Sequence, residues 1–125
     1  MRVSTNFNEI SFHDCGVERV YRASCLVELE IEGGCIASTS GSIKSFDGCK
    51  LSIFNVTNEE IDFWDDDKTP KVHPHPDMPI SEIMHSNFNN GVFTIEGFAE
   101  NSEWVEWRIY ADTFLLEVKT DADNY

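Results

Sequence analysis

Two histidines and an aspartate lie close together in the segment His73-Pro74-His75-Pro76-Asp77. Imidazole nitrogens and carboxylate oxygens are common zinc ligands, and on an extended chain His73 and His75 would point to the same side. The prolines between them favour an extended, exposed backbone. Because the sequence offers no recognisable fourth ligand, we predict no metal site and no cofactor.

The tripeptide His13-Asp14-Cys15 combines a base, a carboxylate and a nucleophilic thiol. Catalysis by such a set requires that the base reach the thiol and that the third group orient the base. Neighbouring residues on a strand point to opposite faces, so adjacency in the sequence works against this geometry. The sequence patterns of serine hydrolases, phosphate-binding loops and zinc proteases do not occur in the chain. We therefore predict that the protein is not an enzyme.

An acidic segment that contains a tryptophan is the strongest indication of function. Its candidate binding residues are Glu59, Glu60, Asp62, Trp64, Asp65, Asp66 and Asp67. A charged sheet edge that prevents aggregation has the same composition, and this is the simpler interpretation. The alternative is a docking surface for a basic partner, in which Trp64 supplies an aromatic anchor of the kind that dominates many interfaces.

The elements that must position these residues are predicted to be strands, because apolar and polar side chains alternate. The alternation is clearest over residues 91–119. There one face carries Val105, Trp107, Ile109 and Ala111, and the other carries Trp104, Glu106, Arg108 and Tyr110. Further strands are predicted over residues 9–13, 24–32, 49–56 and 59–64, and residues 17–21 are a short strand or a bend.

Other segments lack this alternation. Residues 64–79 contain all 4 prolines, which remove hydrogen-bond donors from a sheet, so we predict a long exposed loop. Residues 80–86 follow Pro79, and Ile80, Ile83 and Met84 would share one face of a helix, so we predict a short helix there. Residues 1–8 and 120–125 are polar and are expected to fray.

The predicted elements indicate the fold class. Many short strands, one short helix and no alternation of strands with helices predict a mainly β protein, either an antiparallel β-sandwich or a partly open barrel. A chain of 125 residues corresponds to a single domain, 1–125. The 4 cysteines show no C-x-x-C spacing and are expected to be reduced. Cys25 is in phase with Val27 and Leu29 and is therefore expected in the core.

The composition is strongly acidic. Lys and Arg number 9 against 23 Asp and Glu, which gives a formal net charge of −14. This charge repels nucleic-acid phosphates and anionic membrane surfaces, so we expect no direct nucleic-acid or membrane partner. It favours a basic protein as partner, although charge that only maintains solubility is the simpler interpretation. The first residues have no apolar signal region, and no run approaches the roughly 18 apolar residues of a membrane span, so we expect a cytoplasmic protein.

Residues 10–18 read Ile-Ser-Phe-His-Asp-Cys-Gly-Val-Glu, which is similar to an I-x-F-H-D-x-x-[IV]-E start. An alternating strand over residues 26–32 follows, and the last third of the chain contains Gly-Phe at 97–98 and Trp-Val-Glu-Trp-Arg-Ile at 104–109. In these features the chain resembles bacterial immunity proteins that accompany polymorphic toxins, including those of contact-dependent growth inhibition systems.

The resemblance implies a cytoplasmic protein that binds the toxin domain of its own system and blocks the active site or substrate surface. Many such toxins are basic nucleases, whose phosphate-binding surface an acidic inhibitor can occupy. The acidic segment would make these contacts, joined by Glu28, Glu30 and Glu32. The alternative function is a small carbohydrate- or peptide-binding β-sandwich that uses Trp104 and Tyr110 as a platform. The sequence leaves the oligomeric state open.

Overall fold

The computed structural model describes residues 2–3, 5–37, 43–64, 70–72 and 77–119. Within these ranges the chain forms antiparallel strands and one 3₁₀ turn, Phe7–Glu9. The strands are β1 (Arg2–Val3), β2 (Ile10–Ser11), β3 (Cys15–Ala23), β4 (Leu26–Ile31), β5 (Gly34–Ala37), β6 (Ile43–Phe46), β7 (Gly48–Phe54), β8 (Asn58–Trp64), β9 (Pro70–Val72), β10 (Glu82–Asn89), β11 (Val92–Phe98), β12 (Trp104–Tyr110) and β13 (Thr113–Lys119).

Ten of the strands are hydrogen-bonded in the order β1-β13-β7-β4-β3-β10-β11-β12-β8-β9, and β2, β5 and β6 form a small separate sheet. In the interior of the ten-stranded sheet, only two residue pairs connect β3 to β10. Register shifts lie beside this junction in both strands, and such bulges bend a sheet. We call β1, β13, β7, β4 and β3 the first layer, and β10, β11, β12, β8 and β9 the second layer.

The two layers pack face to face around one hydrophobic core. Phe7 of the 3₁₀ turn contacts Phe93 of the second layer and Phe114 of the first, with ring centroids 4.9 and 5.3 Å away. Phe93 and Phe114 also contact each other, at 6.0 Å. Leu29, Leu51 and Ile53 of the first layer share this core with Ile95, Trp107 and Ile109 of the second. The prediction of a mainly β, antiparallel fold is confirmed, and of the two predicted architectures this arrangement is consistent with the β-sandwich.

The helix predicted over residues 80–86 is wrong, because this segment enters strand β10. Ile80, Ile83 and Met84 fit a helical face, but Ile83 instead pairs with Gly97 of β11 and is fully buried. The turn at Asn90-Gly91, where both residues have positive φ (49° and 76°), joins β10 to β11 as a tight hairpin. A strand partner held by this turn overrides the short helical spacing.

The predicted fraying of residues 1–8 is wrong for the described part of this segment. Arg2 and Val3 pair with β13, and Phe7 is only 3% exposed. The Asn8 side chain holds β10 by accepting from the Phe88 N–H at 2.7 Å and donating to the Phe88 carbonyl at 3.0 Å. Residues 120–125 lie outside the described residues.

The long loop predicted over residues 64–79 contains a strand, so the prediction is wrong at β9. Pro70 to Val72 pair with β8 as the last strand of the sheet. Proline is tolerated there because an edge strand has unpaired donors on one side. Residues 65–69 and 73–76 lie outside the described residues, and Pro79 is buried.

The prediction that Cys25 packs in the core is also wrong. Cys25 is exposed at the turn between β3 and β4, in a left-handed conformation with φ of 59°. Cys49 of β7 occupies the core instead, and burial raises its pKa to about 12. All four thiols are free.

Gly97 has a steric role that predicts a stability difference. A Cβ at this position would lie 2.0 Å from the Glu82 carbonyl oxygen, so Gly97→Ala forces β10 and β11 apart. We expect a loss of about 1–3 kcal/mol in the free energy of unfolding, measured by urea denaturation. Gly48→Ala is the control, since its Cβ would meet its nearest atom at 3.4 Å and should change stability by less than about 1 kcal/mol. Equal losses for both variants would contradict this account of Gly97.

Candidate functional site

The alternation of strand β8 divides the predicted acidic segment between the two faces of the second layer. Glu59 pairs with Ile109 of β12, which is fully buried, and therefore points inward. Glu60, Asp62 and Trp64 point to the outer face, opposite Arg108, Glu106 and Trp104. Asp65, Asp66 and Asp67 lie outside the described residues.

Glu59 holds the two layers together. Its carboxylate accepts the indole N–H of the buried Trp107 at 2.9 Å. It also accepts from Nε and Nη2 of Arg22, each at 3.0 Å, and Arg22 belongs to β3 of the first layer. The guanidinium lies 5.4 Å from the centroid of the Trp107 ring, and its Nη1 donates to the Asp77 carbonyl at 3.2 Å. Glu59 therefore has a structural role and does not lie on the outer face with Glu60.

Removal of this carboxylate should destabilise the fold. Glu59→Ala leaves the buried Trp107 N–H without its acceptor and separates Arg22 from its partner. Because the Arg22 side chain is 27% exposed and regains some water, we expect a loss of only about 1–3 kcal/mol in urea unfolding. Glu60→Ala, at a side chain 46% exposed, should cost less than about 1 kcal/mol. The assignment fails if Glu60→Ala costs as much as Glu59→Ala.

On the outer face, several carboxylates surround one guanidinium. Arg108 donates to Asp62 Oδ2 at 2.8 Å, forms an ion pair with Glu106, and lies 3.8 Å from Glu60 Oε1. The hydrogen bond to Asp62 and the charges of Glu106, Asp62 and Glu60 raise the pKa of Arg108 above its usual value, so it stays charged. The Tyr110 hydroxyl donates to Glu60. These contacts hold the side chains in fixed positions.

Glu96 of β11 adds a further charge that the sequence analysis missed. It pairs directly with Glu106 of β12, and Glu106 pairs with Asp62 of β8. We call Glu96, Glu106 and Asp62 the acidic row. Among the described residues the Glu96 side chain has no ion-pair or hydrogen-bond partner. Applying the period of two to residues 92–98 would have placed Glu96 on this face.

Beside the acidic row lies a row of aromatic side chains. Phe98, Trp104 and Trp64 pair with one another across β11, β12 and β8, and we call them the aromatic row. Phe98 packs edge-on against Trp104, with centroids 5.3 Å apart. His85 lies 6.4 Å from Trp104 on the same face. The outer face of the second layer therefore combines carboxylates with half-buried rings.

The outer face of the first layer has a different charge pattern. One row across its five strands pairs Arg19 with Glu30, Glu30 with Lys50, Lys50 with Glu117, and Glu117 with Arg2. The signs alternate, and Lys50 Nζ lies 3.6 Å from Glu117 Oε1. Glu28 and Glu30 are on this face, and Glu32 follows β4 at a bend, so the structure does not bring them together with Glu60 and Asp62.

The other candidate residues do not form a reactive set. The Cys15 thiol points to the His13 carbonyl oxygen, at 3.7 Å, and burial raises its pKa, whereas an activated thiol has a lowered pKa. The His13 ring contacts the Met84 carbonyl through Nδ1 at 2.8 Å and Asp14 through Nε2 at 3.3 Å. Within the part of the chain that the structure describes, no three His, Cys, Asp or Glu side chains are placed to hold a metal ion. His73 and His75 lie outside that part.

Trp104 and Tyr110 lie on the same outer face, as predicted, but they do not lie side by side and do not form a platform. Both side chains lie on the outer face of β12, but they are six positions apart on an extended strand, which is roughly 20 Å. The Tyr110 hydroxyl is also engaged by Glu60. The rings that do lie side by side are those of the aromatic row.

Comparison with protein families, curated proteins and solved structures finds no match for this chain. None of the helical segments in the described residues is long and apolar enough to cross a membrane.

The Tyr110–Glu60 contact predicts a titration that can be measured. The hydrogen bond to Glu60 is the main cause that raises the pKa of Tyr110, and the carboxylate charge adds to it. Glu60→Gln should therefore lower this pKa, observed as tyrosinate absorbance near 295 nm and assigned by its loss in Tyr110→Phe. Because the folded pKa is the higher one, the contact stabilises the fold fully below the ordinary tyrosine pKa of about 10. That stability is lost as the pH rises through the folded value, and an unchanged titration in Glu60→Gln would contradict the contact.

Proposed function

We propose that this chain is an immunity protein that binds a basic toxin domain, such as a nuclease, and neutralises it in the cytoplasm. The observation that carries the proposal is the difference between the two outer faces. Charges of opposite sign alternate across the first layer, whereas on the second layer Glu60, Asp62 and Glu106 share the guanidinium of Arg108. Glu96 adds a carboxylate that has no ion-pair partner among the described residues. A surface with this negative potential attracts a positively charged partner and orients it during encounter.

The geometry of the face suits the proposed inhibition. A nuclease holds its substrate through cationic groups that bind phosphates. Carboxylates that project from neighbouring strands at regular spacing can engage the same cationic groups and exclude the nucleic acid. Arg108 fixes Asp62 and Glu106 before binding, so less side-chain entropy is lost when the partner docks.

The aromatic row supplies apolar area that the partner can bury, which the charged side chains alone do not provide. Trp and Tyr are enriched among residues that dominate binding energy, because a large ring buries much apolar area at little entropic cost. Trp104 and Trp64 lie beside the carboxylates and are half-buried, so their rings are already positioned. The resemblance of residues 10–18 and 97–109 to immunity proteins supports a toxin domain as the partner. The charge and the rings of the outer face support this face as the surface that contacts the toxin.

Carbohydrate or peptide binding by a β-sandwich is the second candidate function, because a sugar can stack on a ring of the aromatic row. This function requires no basic partner, and a glycan array with wild type and Trp104→Ala tests it. A sugar that binds the wild type and not the variant would favour it over toxin neutralisation.

Charge-neutralised variants test the proposed function. The partner to be tested is the carboxyl-terminal domain of any large exported protein encoded beside this gene, and its binding is measured by calorimetry. Glu60→Gln, Glu96→Gln and Glu106→Gln combined should weaken binding about tenfold to a hundredfold and reduce protection of cells from the toxin. The matched control is Glu28→Gln, Glu30→Gln and Glu117→Gln, which removes the same charge from the opposite face and should change affinity less than about threefold.

Nanomolar binding that both variants retain equally would contradict the assigned face. A neighbour that neither binds nor kills would contradict the function itself. Asp65, Asp66 and Asp67 are tested separately by replacing all three with Lys, since affinity that is unchanged at low salt would remove that segment from the interface.

A further inference from the structure

We propose that the outer face of the second layer binds an arginine side chain of the partner, seated between the acidic row and the aromatic row. This inference rests on the proposed function, because it names the group by which the basic partner is recognised. Three observations support it: an unfavourable charge pair on the face, the rings beside that pair, and the contacts of two arginines of the same chain.

The charge pair is that of Glu96 and Glu106. They are directly opposite on β11 and β12, and their Cβ atoms in such a pair are about 4.5–5.5 Å apart. Like charges in this position destabilise a sheet. Arg108 offsets the charge of Glu106, but Glu96 has no ion-pair partner among the described residues. A cation bound next to Glu96 would therefore remove a repulsion that the free chain contains.

The rings beside this pair favour a particular kind of cation. Phe98 follows Glu96 by two residues on β11, and Trp104 precedes Glu106 by two residues on β12. Both aromatic residues therefore lie on the same face as the two glutamates, about 7 Å further along their strands. Phe98 and His85 pack against Trp104 and fix the position of its ring. A planar guanidinium can stack on an indole and donate two N–H groups to a carboxylate at the same time. The ammonium group of lysine is more strongly hydrated and forms no such planar fork, so arginine fits this surface better.

Carboxylates of the chain already bind two of its own arginines, and one of these arginines also contacts an indole ring. Arg22 lies 5.4 Å from the centroid of the Trp107 ring while it donates to Glu59 at 3.0 Å. Arg108 donates to Asp62 and Glu106, which are the other members of the acidic row. Trp104 and Glu96 offer an incoming guanidinium the ring and the carboxylate that Trp107 and Glu59 offer to Arg22.

The test uses short peptides of one charge but different head groups. Acetyl-Arg₄-amide and acetyl-Lys₄-amide are titrated into the ¹⁵N-labelled full chain at low ionic strength, and the indole N–H signals are followed. The Trp104 signal should shift with the arginine peptide, and its dissociation constant should be at least about threefold lower than with the lysine peptide. The Trp107 signal is the internal reference, since its N–H is buried and donates to Glu59.

Two matched variants locate the peptide. Glu96→Gln should weaken binding of the arginine peptide about threefold to tenfold, and Glu28→Gln on the first layer should leave it within about twofold. A Trp104 signal that does not move, equal affinity for both peptides, or an equal effect of the two variants would overturn the arginine site.

The two proposals fail in different ways. Suppose that binding of the toxin domain still requires Glu60, Glu96 and Glu106, but that the arginine and lysine peptides bind with equal affinity. The proposed function then stands and the arginine site is wrong. If the peptide binds as expected but no neighbouring domain is neutralised, the arginine site stands and the immunity function is wrong.

Discussion

Burial of the Trp107 ring is the constraint on which the rest of the structure depends. Its indole N–H needs an acceptor in the interior, and Glu59 supplies one while also binding Arg22 from the opposite layer. This contact is compatible with one register of β8 against β12, because a shift by one residue would turn Glu59 out and bring Glu60 into the core. A single polar group thus ties the two layers together and fixes which residues of β8 reach the surface.

The chemistry of the outer face follows from that register. With Glu59 inward, Glu60, Asp62 and Trp64 are placed opposite Arg108, Glu106 and Trp104, and β11 adds Glu96 and Phe98. The first layer, with the same kinds of residue, alternates its charges and leaves no comparable concentration of one sign. The outer face of the second layer thus carries an excess of carboxylates that the outer face of the first layer lacks. The proposed binding surface requires such an excess of one sign on one face, whereas charge that only maintains solubility does not.

Much of the fold could be predicted from the sequence, because alternation is a local property that β4, β11 and β12 display without interruption. Strand β10 could not be predicted, because Ile80, Ile83 and Met84 have the spacing of a helical face. Only pairing with β11 in the hairpin decides between a helix and a strand. Within the site, alternation places Glu59 and Glu60 on opposite faces of β8, but it does not predict that the carboxylate of Glu59 points into the core. That outcome depends on Arg22, which is 37 residues away in the sequence and meets Glu59 only when the layers pack. Glu96 was missed because its importance comes from its neighbour on β12 and not from its own segment.

Carboxylate footprinting of the complex tests the central claim most directly. The chain, alone and bound to the proposed toxin domain, is labelled with a carbodiimide and glycine ethyl ester, and each modified residue is quantified by mass spectrometry. Our account predicts that Glu60, Asp62, Glu96 and Glu106 lose most of their reactivity in the complex. Glu28, Glu30 and Glu117 of the first layer should react as in the free chain. Protection of these three residues, with the carboxylates of the second layer still reactive, would contradict the account.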